Sequence, residues 1–447
     1  MSRDYTGEML SFIEKSPSCF HVIQNLRERL DAEGFEELKE YEDWNAREGI
    51  RNGGKYYVIR NDSSLIAFQI PGGQIKGFHM AASHCDSPCF KIKEHPETEV
   101  EGHYVRLNTE KYGGMILSTW LDRPLSVAGR VAVKENDKIV TKLVNVDRDL
   151  LVIPNLAIHM NHDMNKGVEY NPQVDMLPLY ADCGCGAGDV QGMLLREIAE
   201  TVGVNAEKIL GHDLFLYVRD KGRVLGRDGE FVLSPRLDDL QCVFASMEAF
   251  LAGSPKEYIS LCAVFDNEEV GSGTKQGADS TCLEDVIERV CEGLCSGKIE
   301  NVEQNGAVYL DGSTFMQRMI ADSFLISADN AHAVHPNHPE KADPTNRPYL
   351  NGGIVIKYHG SQKYTTDAVS AAKMKDLCAC AGVPFQTYAN RSDIVGGSTL
   401  GNISTAHISV ASVDIGLPQL AMHSAVETAG SRDTEYAVKA LRVFFEG

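Results

Sequence analysis

Downstream of Ser234 the chain alternates between short apolar runs and segments with helical periodicity. Strands that alternate with helices of ordinary length form a sheet that carries helices on both faces. The apolar runs are ISLCAVF, FLISAD, GIVIKYH and ISVASVDIG. The helical segments are Leu240 to Leu251, LEDVIERVCEGLC, AVSAAKMKDLCACAG and a final helix. The sequence therefore predicts a doubly wound α/β fold.

The first part of the chain fits the same fold. Apolar positions at helical spacing predict two short helices before Gly34, separated at Ser16 and Pro17. The runs YYVIR, SLIAFQI and IKGFHMAAS, separated by turn signals, predict core strands, the last of which ends at His84.

The segment from residue 95 to residue 233 has a different pattern. Short alternating runs such as RVAVKE, KIVTKLVNV and HDLFLYVRD lie between glycine-rich turns, with few helical periods. We interpret residues 95–233 as a β-rich inserted domain, and residues 1–94 and 234–447 as one discontinuous α/β domain. Because no linker-like segment separates them, we expect the insert to be rigidly packed.

The charge and the cysteines of the chain limit the kinds of partner that it can bind and indicate its cellular compartment. The chain has 63 acidic and 43 basic side chains, a formal net charge of -20, which repels the phosphate backbone of nucleic acids. No apolar run approaches the ~18 residues that span a bilayer, and the N-terminus lacks the features of a signal peptide. Cys85, Cys242 and Cys262 lie in apolar or motif-rich segments, as free thiols do in reducing compartments. We expect a cytoplasmic protein without nucleic-acid or membrane partners.

Acidic residues and histidines collect where the predicted core strands end, the edge at which open α/β sheets bind ligands. A charge buried there is costly unless it is paired or bound to a metal ion. Two histidines and three carboxylates can hold two divalent ions about 3.5 to 4 Å apart if one carboxylate bridges them. The candidates are His84, Asp86, Asp238, Glu268, Glu269, Asp329 and His423.

The adjacent pair Glu268 and Glu269 can supply both a metal ligand and a general base. Neighbouring residues on a strand point to opposite faces, so both reach one site only from a turn, which Gly271 and Gly273 favour. On its own such a pair is far more often a solvated surface feature. The Glu-Glu pair indicates a metal site only in combination with the histidines and acidic residues at the other strand ends.

Two further motifs refine the set of ligands. His84 and Asp86 have the His-x-Asp spacing by which a carboxylate orients a metal-binding imidazole. Asp238 and Asp239 precede the apolar helix LQCVFASMEAFL. We assign the metal ion to Asp238 and the helix N-cap to Asp239.

The ligand inventory alone leaves several functions open. A carboxypeptidase or an amide deacylase can use the same two metals, and closed-end binding of the substrate's α-amine would distinguish an aminopeptidase. A non-catalytic assembly protein on the same fold is a second alternative, which the intact ligands and base argue against. Serine and cysteine hydrolases are set aside because the chain has no G-x-S-x-G elbow and no Cys-His nucleophile signature.

In chain order, the motifs resemble those of the M18 aminopeptidases over almost the whole chain. They are the His-x-Asp pair, SPRLD, DNEEVGS, SADNAHAVHP and AMHS, joined by TWLDRPLS (119–126), VIPNLAIH (152–159) and RSDIVGGST (391–399). Asp239 is a departure, because the family commonly has Asn there. The resemblance implies a zinc-peptidase-like mixed sheet interrupted by the β-rich insert, and a two-metal enzyme that removes N-terminal residues from peptides.

The resemblance also implies a role for each site residue. The metal centre would consist of Asp238 as the bridging ligand, with His84 and Asp329 on one ion and Glu269 and His423 on the other. The catalytic residues would be Glu268, as general base, and Asp86. The ions would be zinc, with cobalt or manganese as possible substitutes.

Further implications concern substrate and assembly. The implied substrate-binding residues are His159, His332, His335 and Lys357, with His335 completing the site of a neighbouring subunit. Lys357 would favour an N-terminal Asp or Glu, but a lysine at the end of GGIVIKYH can equally extend into water, and some relatives prefer Leu or Met. Family members form tetrahedral dodecamers, so we expect a homo-oligomer to whose contacts the insert contributes.

Overall fold

The computed structural model describes residues 3–45, 49–183, 190–296, 314–397 and 399–447. Ser398, in the predicted RSDIVGGST motif, lies outside these ranges. The helices of the described part are α1 (Tyr5–Glu14), α2 (Cys19–Ala32), α3 (Met193–Val202), α4 (Leu237–Ala252), α5 (Cys282–Ser296), α6 (Phe315–Ala321), α7 (Ala368–Ala381), α8 (Leu400–His407) and α9 (Asp433–Glu446).

The strands of the described part form three sheets. The first ten are β1 (Glu36–Glu37), β2 (Lys55–Arg60), β3 (Ser64–Gln69), β4 (Gly77–His84), β5 (Cys89–Val100), β6 (Tyr104–Tyr112), β7 (Leu125–Glu135), β8 (Lys138–Asn145), β9 (Leu179–Asp182) and β10 (Ile209–Val218). The others are β11 (Arg223–Leu225), β12 (Phe231–Ser234), β13 (Tyr258–Phe265), β14 (Phe324–Ala328), β15 (Ala331–His332), β16 (Ile354–Tyr358), β17 (Phe385–Ala389), β18 (Ala411–Gly416), β19 (Pro418–Leu420) and β20 (Glu427–Gly430).

The largest sheet is mixed and has nine strands in the order β1-β2-β3-β13-β4-β14-β18-β16-β17. Strands β13, β4, β14 and β18 run parallel to one another. Strands β3 and β16 pair antiparallel with β13 and β18. The predicted mixed α/β sheet is confirmed, and its central parallel strands all end at the same edge.

Side chains of this sheet alternate between two hydrophobic cores. In β13, Cys262 and Val264 face the core that contains residues of α1, α2, α4, α7 and α9, whereas Leu261 and Ala263 face the core of α5, α6 and α8. Because helices cover both faces, a central strand is a continuous apolar run and not an alternating one. The predicted arrangement of helices on both faces is confirmed.

Helix α4 lies deep in the first core. Every residue from Leu237 to Phe250 is buried, and the ring of Phe250 lies 5.6 Å from that of Phe445 in α9. Burying each large apolar side chain contributes roughly 1.5 to 3 kcal/mol relative to leaving it exposed. This packing fixes the start of α4, where Asp238 lies.

A separate six-stranded antiparallel sheet, in the order β8-β7-β10-β5-β6-β9, has its own hydrophobic core. Helix α3 packs into that core through Leu194 and Ile198 and was not predicted, because one ten-residue helix is inconspicuous among strand patterns. The predicted boundary after residue 94 falls inside β5. The division into domains stays a prediction.

The third sheet, in the order β11-β12-β20-β19-β15, was not predicted. Its strands have two to four residues and carry little hydrophobic periodicity, as in ETAG of β20. Pairing of β12 with β20 joins Ser234 to Glu427. This pairing brings the segment around His423 next to the start of α4.

Most predicted elements are found, with shifted ends. The helix predicted from Leu240 begins at Leu237, and the strand predicted at ISVASVDIG begins at Ala411. Strand β17 and helices α6 and α8 were not predicted; α8, with the sequence LGNISTAH, contains several weak helix formers. Cys85, Cys242 and Cys262 are buried free thiols, as expected.

Candidate active site

The predicted metal ligands and the predicted base meet at the carboxyl edge of the central parallel strands. His84 ends β4 and lies in register with Phe265, the last residue of β13. Glu268 follows β13 by three positions, and Asp329 follows β14 directly. Because parallel strands end at one edge, three distant segments of sequence deliver their polar residues to one place.

Asp238 lies between the two histidines of the site. Its Oδ1 atom is 3.5 Å from Nε2 of His84, and its Oδ2 atom is 3.6 Å from Nε2 of His423. Nε2 of His423 is also 3.4 Å from Glu269, and Nε2 of His84 is 3.9 Å from Asp329. Each oxygen of the Asp238 carboxylate therefore faces a separate group of candidate ligands.

Both imidazoles are oriented by backbone carbonyl groups. Nδ1 of His84 lies 3.1 Å from the carbonyl oxygen of Asp86, and Nδ1 of His423 lies 2.6 Å from that of Gly114. A carbonyl oxygen can only accept, so each Nδ1 carries the proton. Each Nε2 is thereby left as the atom that faces the carboxylates, which is the tautomer a metal ligand needs.

A short turn presents both glutamates to the site. Glu268–Val270 is a single 3₁₀ turn, preceded by Asn267 and followed by Gly271, which both have left-handed backbone angles. Asn and Gly are the residues that most readily adopt this conformation. The predicted turn at the Glu-Glu pair is confirmed.

Asp86 holds this turn in place. Its two carboxylate oxygens accept hydrogen bonds from the backbone N–H groups of Glu268 and Glu269, both at 3.1 Å. The hydroxyl of Tyr112 donates to it at 2.8 Å, and Nδ1 of His84 lies 3.4 Å away. Asp86 therefore links the histidine and both glutamates, although Tyr112 gave no signal in the sequence.

The N-cap assignment of Asp239 is wrong. Its Oδ2 atom accepts a hydrogen bond from the backbone N–H of His84 at 3.2 Å, and neither of its oxygens accepts from a backbone N–H of α4 among the described residues. Asp239 is fully buried, and its Oδ1 atom has no hydrogen-bond partner within the described ranges. The backbone bends away from helical geometry at Asp238 and Asp239, so the carboxylate turns toward β4 instead of the helix.

Glu427 was also not predicted from the sequence. It is buried at the start of β20 and accepts hydrogen bonds from the backbone N–H groups of Asp238, at 3.0 Å, and His423, at 2.8 Å. A single glutamate four residues after a histidine is not a recognisable motif. Its importance depends on the short strands of the third sheet, which the sequence did not indicate.

The clustered carboxylates raise one another's pKa. Burial, together with the charges of Asp329 and Asp86, raises the pKa of Glu268 to about 8. Burial and Asp238 raise the pKa of Glu269. Burial acts to raise the pKa of Asp238 as well, but the adjacent His84 outweighs burial and lowers it. The site thus concentrates negative charge that a cation would stabilise.

The geometry and chemistry of these residues fit divalent metal ions. His84, Asp238 and Glu269 offer ligand atoms within 4.8 Å of one another, and so do His84, Asp239 and Asp329. Oδ1 of Asp238 and Oδ1 of Asp239 are buried and lack hydrogen-bond partners among the described residues. Buried carboxylate oxygens without donors are costly, and metal coordination satisfies them.

The candidate metal ligands line a cavity of about 320 Å³. Its wall also contains His332, Lys357, Tyr364, Tyr388 and Thr399. The cavity can accommodate one amino-acid side chain beside the carboxylate cluster.

Lys357 is buried and not solvated. Only 2% of it is exposed, its Nζ atom forms an ion pair with Asp329 at 3.6 Å, and the charge of Asp329 raises its pKa although burial acts to lower it. Gly416 permits this packing, because a Cβ atom there would lie 2.2 Å from the carbonyl oxygen of Asp329 and 2.9 Å from Cε of Lys357. The alternative of a lysine that extends into water is wrong.

The other two predicted substrate-binding residues lie elsewhere. His159 belongs to an exposed loop, and His335 is exposed with its ring 5.3 Å from that of His338. Neither residue lines the cavity of its own chain.

A family profile described as "Aminopeptidase I zinc metalloprotease (M18)" matches residues 12–445. The chain belongs to the M18 family of aminopeptidases. It is 46% identical over 445 residues to a probable M18 family aminopeptidase 2 of Clostridium novyi, a match that covers 99% of this chain and 98% of that relative.

Solved structures give the same result. The chain superposes on Ape4 in its complex with Nbr1 with a TM-score of 0.92 and 35% identity, covering 99% of this chain and 85% of that one. For the mApe1 dodecamer of S. cerevisiae the TM-score is 0.83 and the identity 28%, covering 99% and 96%.

Membership makes this M18 protein a metallo-aminopeptidase, a hydrolase of N-terminal peptide bonds. The predicted family, fold class and enzyme class are confirmed. The carboxypeptidase, deacylase and non-catalytic alternatives are therefore set aside. Within the described ranges, no helix is both long and apolar enough to cross a membrane.

The crowded carboxylates predict a pH-dependent stability of the metal-free enzyme. Glu268 has a pKa near 4.5 as an ordinary carboxyl and about 8 in the folded chain. Its contribution to stability is thus present below about pH 4.5 and is lost as the pH rises through about 8. With chelator present, we expect the melting temperature of the wild type to fall over this range more steeply than that of Glu268→Gln.

Differential scanning fluorimetry across this pH range measures both slopes. Added zinc should flatten the wild-type curve by neutralising the carboxylates. Parallel curves for the two chelated proteins would contradict the prediction.

Proposed function

We propose that this aminopeptidase uses two metal ions bridged by Asp238. The observation that carries the proposal is that the two oxygens of this buried carboxylate face different histidines, at 3.5 and 3.6 Å. A bridging carboxylate requires this division, because each oxygen binds one ion. An aspartate that only paired with one histidine would need no second partner.

The remaining ligands divide around the bridge. His84 and Asp329 would bind one ion, and Glu269 and His423 the other, as the contacts of each imidazole suggest. Asp239 is a further candidate beside the first ion. We propose zinc, the metal named in the family description, with cobalt or manganese as substitutes. Bound metal ions of this kind lower the pKa of a coordinated water and polarise the scissile carbonyl.

Glu268 is the proposed general base. It lines the cavity, it forms no side-chain ion pair with either histidine among the described residues, and Asp86 fixes its backbone. A carboxylate in this position takes the proton of the attacking water and returns it to the amine of the leaving peptide. Asp86 assists by orienting His84 and the turn.

This assignment predicts different effects for substitution of the base and substitution of a metal ligand. Glu268→Gln removes proton transfer and keeps the shape of the side chain, so we expect kcat to fall ~10² to 10⁴-fold with metal content unchanged. Asp238→Ala is the matched comparison, because loss of the bridge should release at least one ion per chain. Aminoacyl reporter assays and metal analysis measure both. Near wild-type activity of Glu268→Gln would exclude it as the base.

For specificity, we propose a preference for N-terminal Asp or Glu. The buried ammonium group of Lys357 lies in the cavity wall, and its ion pair with Asp329 at 3.6 Å leaves donor capacity for a second carboxylate. Two observations favour the alternative preference for Leu or Met. Asp329 already offsets the charge of Lys357, and Tyr364, Tyr388 and Met422 add apolar surface to the same cavity.

Comparison of kcat/KM for Asp-, Glu- and Leu-reporters distinguishes these alternatives. A charge-assisted hydrogen bond of about 1.5 to 3 kcal/mol corresponds to a ~10 to 150-fold preference for acidic residues. Lys357→Met should remove that preference. Lys439→Met, which changes an exposed lysine on α9, should preserve it. A wild-type enzyme that favours Leu, or an acidic preference that survives in Lys357→Met, would exclude this role.

We also propose a homo-oligomer, with a tetrahedral dodecamer as the expected form and residues 95–233 as its main contact region. An exposed segment of this region contains Leu156, Ile158 and Met160, of which Met160 is 76% exposed. Clustered apolar side chains on a surface are typical of interfaces. His159 lies among them, so assembly would bring it, and His335, to sites that their own chain does not form.

The native mass tests this proposal. Ile158→Glu combined with Met160→Glu should yield smaller species in multi-angle light scattering, because charges would be buried in the contact. Val369→Glu changes a similarly exposed apolar residue on α7 and should leave the mass unchanged. A monomeric wild type, or an unaltered mass in the double variant, would reject this interface.

A further inference from the structure

Glu427 lies on the opposite side of Asp238 from the substrate cavity. It is 2% exposed and lines a second, larger cavity of about 510 Å³ between the central sheet and the six-stranded sheet. It does not line the 320 Å³ cavity that contains the ligand side chains. Glu427 therefore lies behind the candidate ligands and not among the residues that line their cavity.

Both oxygens of Glu427 are used by the backbone of candidate ligands. Oε2 accepts from the N–H of Asp238 at 3.0 Å, and Oε1 accepts from the N–H of His423 at 2.8 Å. These two residues come from distant parts of the chain, yet the side chains that they carry lie 3.6 Å apart. One carboxylate thus sets the separation between the proposed bridging ligand and the histidine of one ion.

The backbone at His423 needs such support. Its φ angle is +65°, in the left-handed region that non-glycine residues seldom adopt. Two bonds hold it there: the one to Glu427, and one in which the carbonyl of His423 accepts from the N–H of Ile116 at 3.0 Å. Without the first bond, His423 could relax toward ordinary angles and move its ring away from Asp238.

We propose that Glu427 is a positioning residue that sets the affinity of the metal centre by fixing Asp238 and His423 together. This inference rests on the proposed two-metal function. Asp86 has the same relation to Glu268 and Glu269, so two carboxylates beside the site each accept two backbone N–H groups of candidate site residues. Changes in residues that orient metal ligands typically weaken metal affinity by about 10 to 100-fold.

Glu427→Gln tests the proposal with little change in size. Its amide keeps one acceptor oxygen and turns an NH₂ group toward the other backbone N–H. Asp433→Asn is the matched control, because Asp433 is fully buried and accepts from the N–H groups of Asn351 and Gly353 at 2.7 and 2.9 Å. It contributes no group to the metal site.

Chelator competition on the full-length protein measures the stepwise zinc dissociation constants. We expect Glu427→Gln to raise at least one of them ~10 to 100-fold, and excess zinc to restore much of its activity. Asp433→Asn should keep wild-type constants. Unchanged constants in Glu427→Gln, or an equal change in Asp433→Asn, would overturn the proposal.

Two further measurements keep the outcome unambiguous. If Glu427→Gln does not fold, Glu427→Asp takes its place, because it keeps both oxygens on a shorter side chain. Wild-type zinc dissociation constants in Glu427→Asp would overturn the proposal. The stoichiometry of the wild type tests the two-metal function separately. If the wild type binds one ion, that function fails, and the role of Glu427 is judged by the affinity for this single ion.

Discussion

Repulsion between buried carboxylates is the constraint on which this active site depends. Asp238, Asp239, Glu268, Glu269 and Asp329 are brought together with one buried lysine and two histidines. Like charges at such separations are strongly unfavourable where water is excluded. Backbone donors reduce the cost at Asp239 and at the neighbouring carboxylates of Asp86 and Glu427. A bound cation would offset the repulsion that remains.

The fold supplies the rigidity that this charge cluster requires. Parallel strands β13, β4 and β14 deliver their ends to one edge, and the buried helix α4 fixes Asp238 from the other side of the sheet edge. The third sheet then connects β12 to β20 and brings His423 into reach. Elements with large cores thus position His84, Asp238 and Asp329, whereas the short third sheet positions His423.

Sequence reasoning succeeded where apolar patterning is strong and failed where structure depends on a few hydrogen bonds. The runs around ISLCAVF and IKGFHMAAS predicted the central strands, and the residues after them predicted the candidate ligands. Asp239 was misassigned because a residue before an apolar helix normally caps it, and only the bent backbone reveals its bond to His84. Glu427, Tyr112 and the third sheet gave no periodic signal. Side-chain burial, as at Lys357, depends on neighbours that are distant in sequence.

The wide sequence separation of the ligands has a consequence for the enzyme's own synthesis. His84 and His423 flank most of the chain, and the β12–β20 pairing that brings His423 next to the start of α4 joins residues 231–234 to residues 427–430. Long-range contacts form late, because their loop-closure entropy must be overcome first. Because β20 is the last strand of the described residues, the contact between His423 and Asp238 is completed only after the other strands have been synthesised.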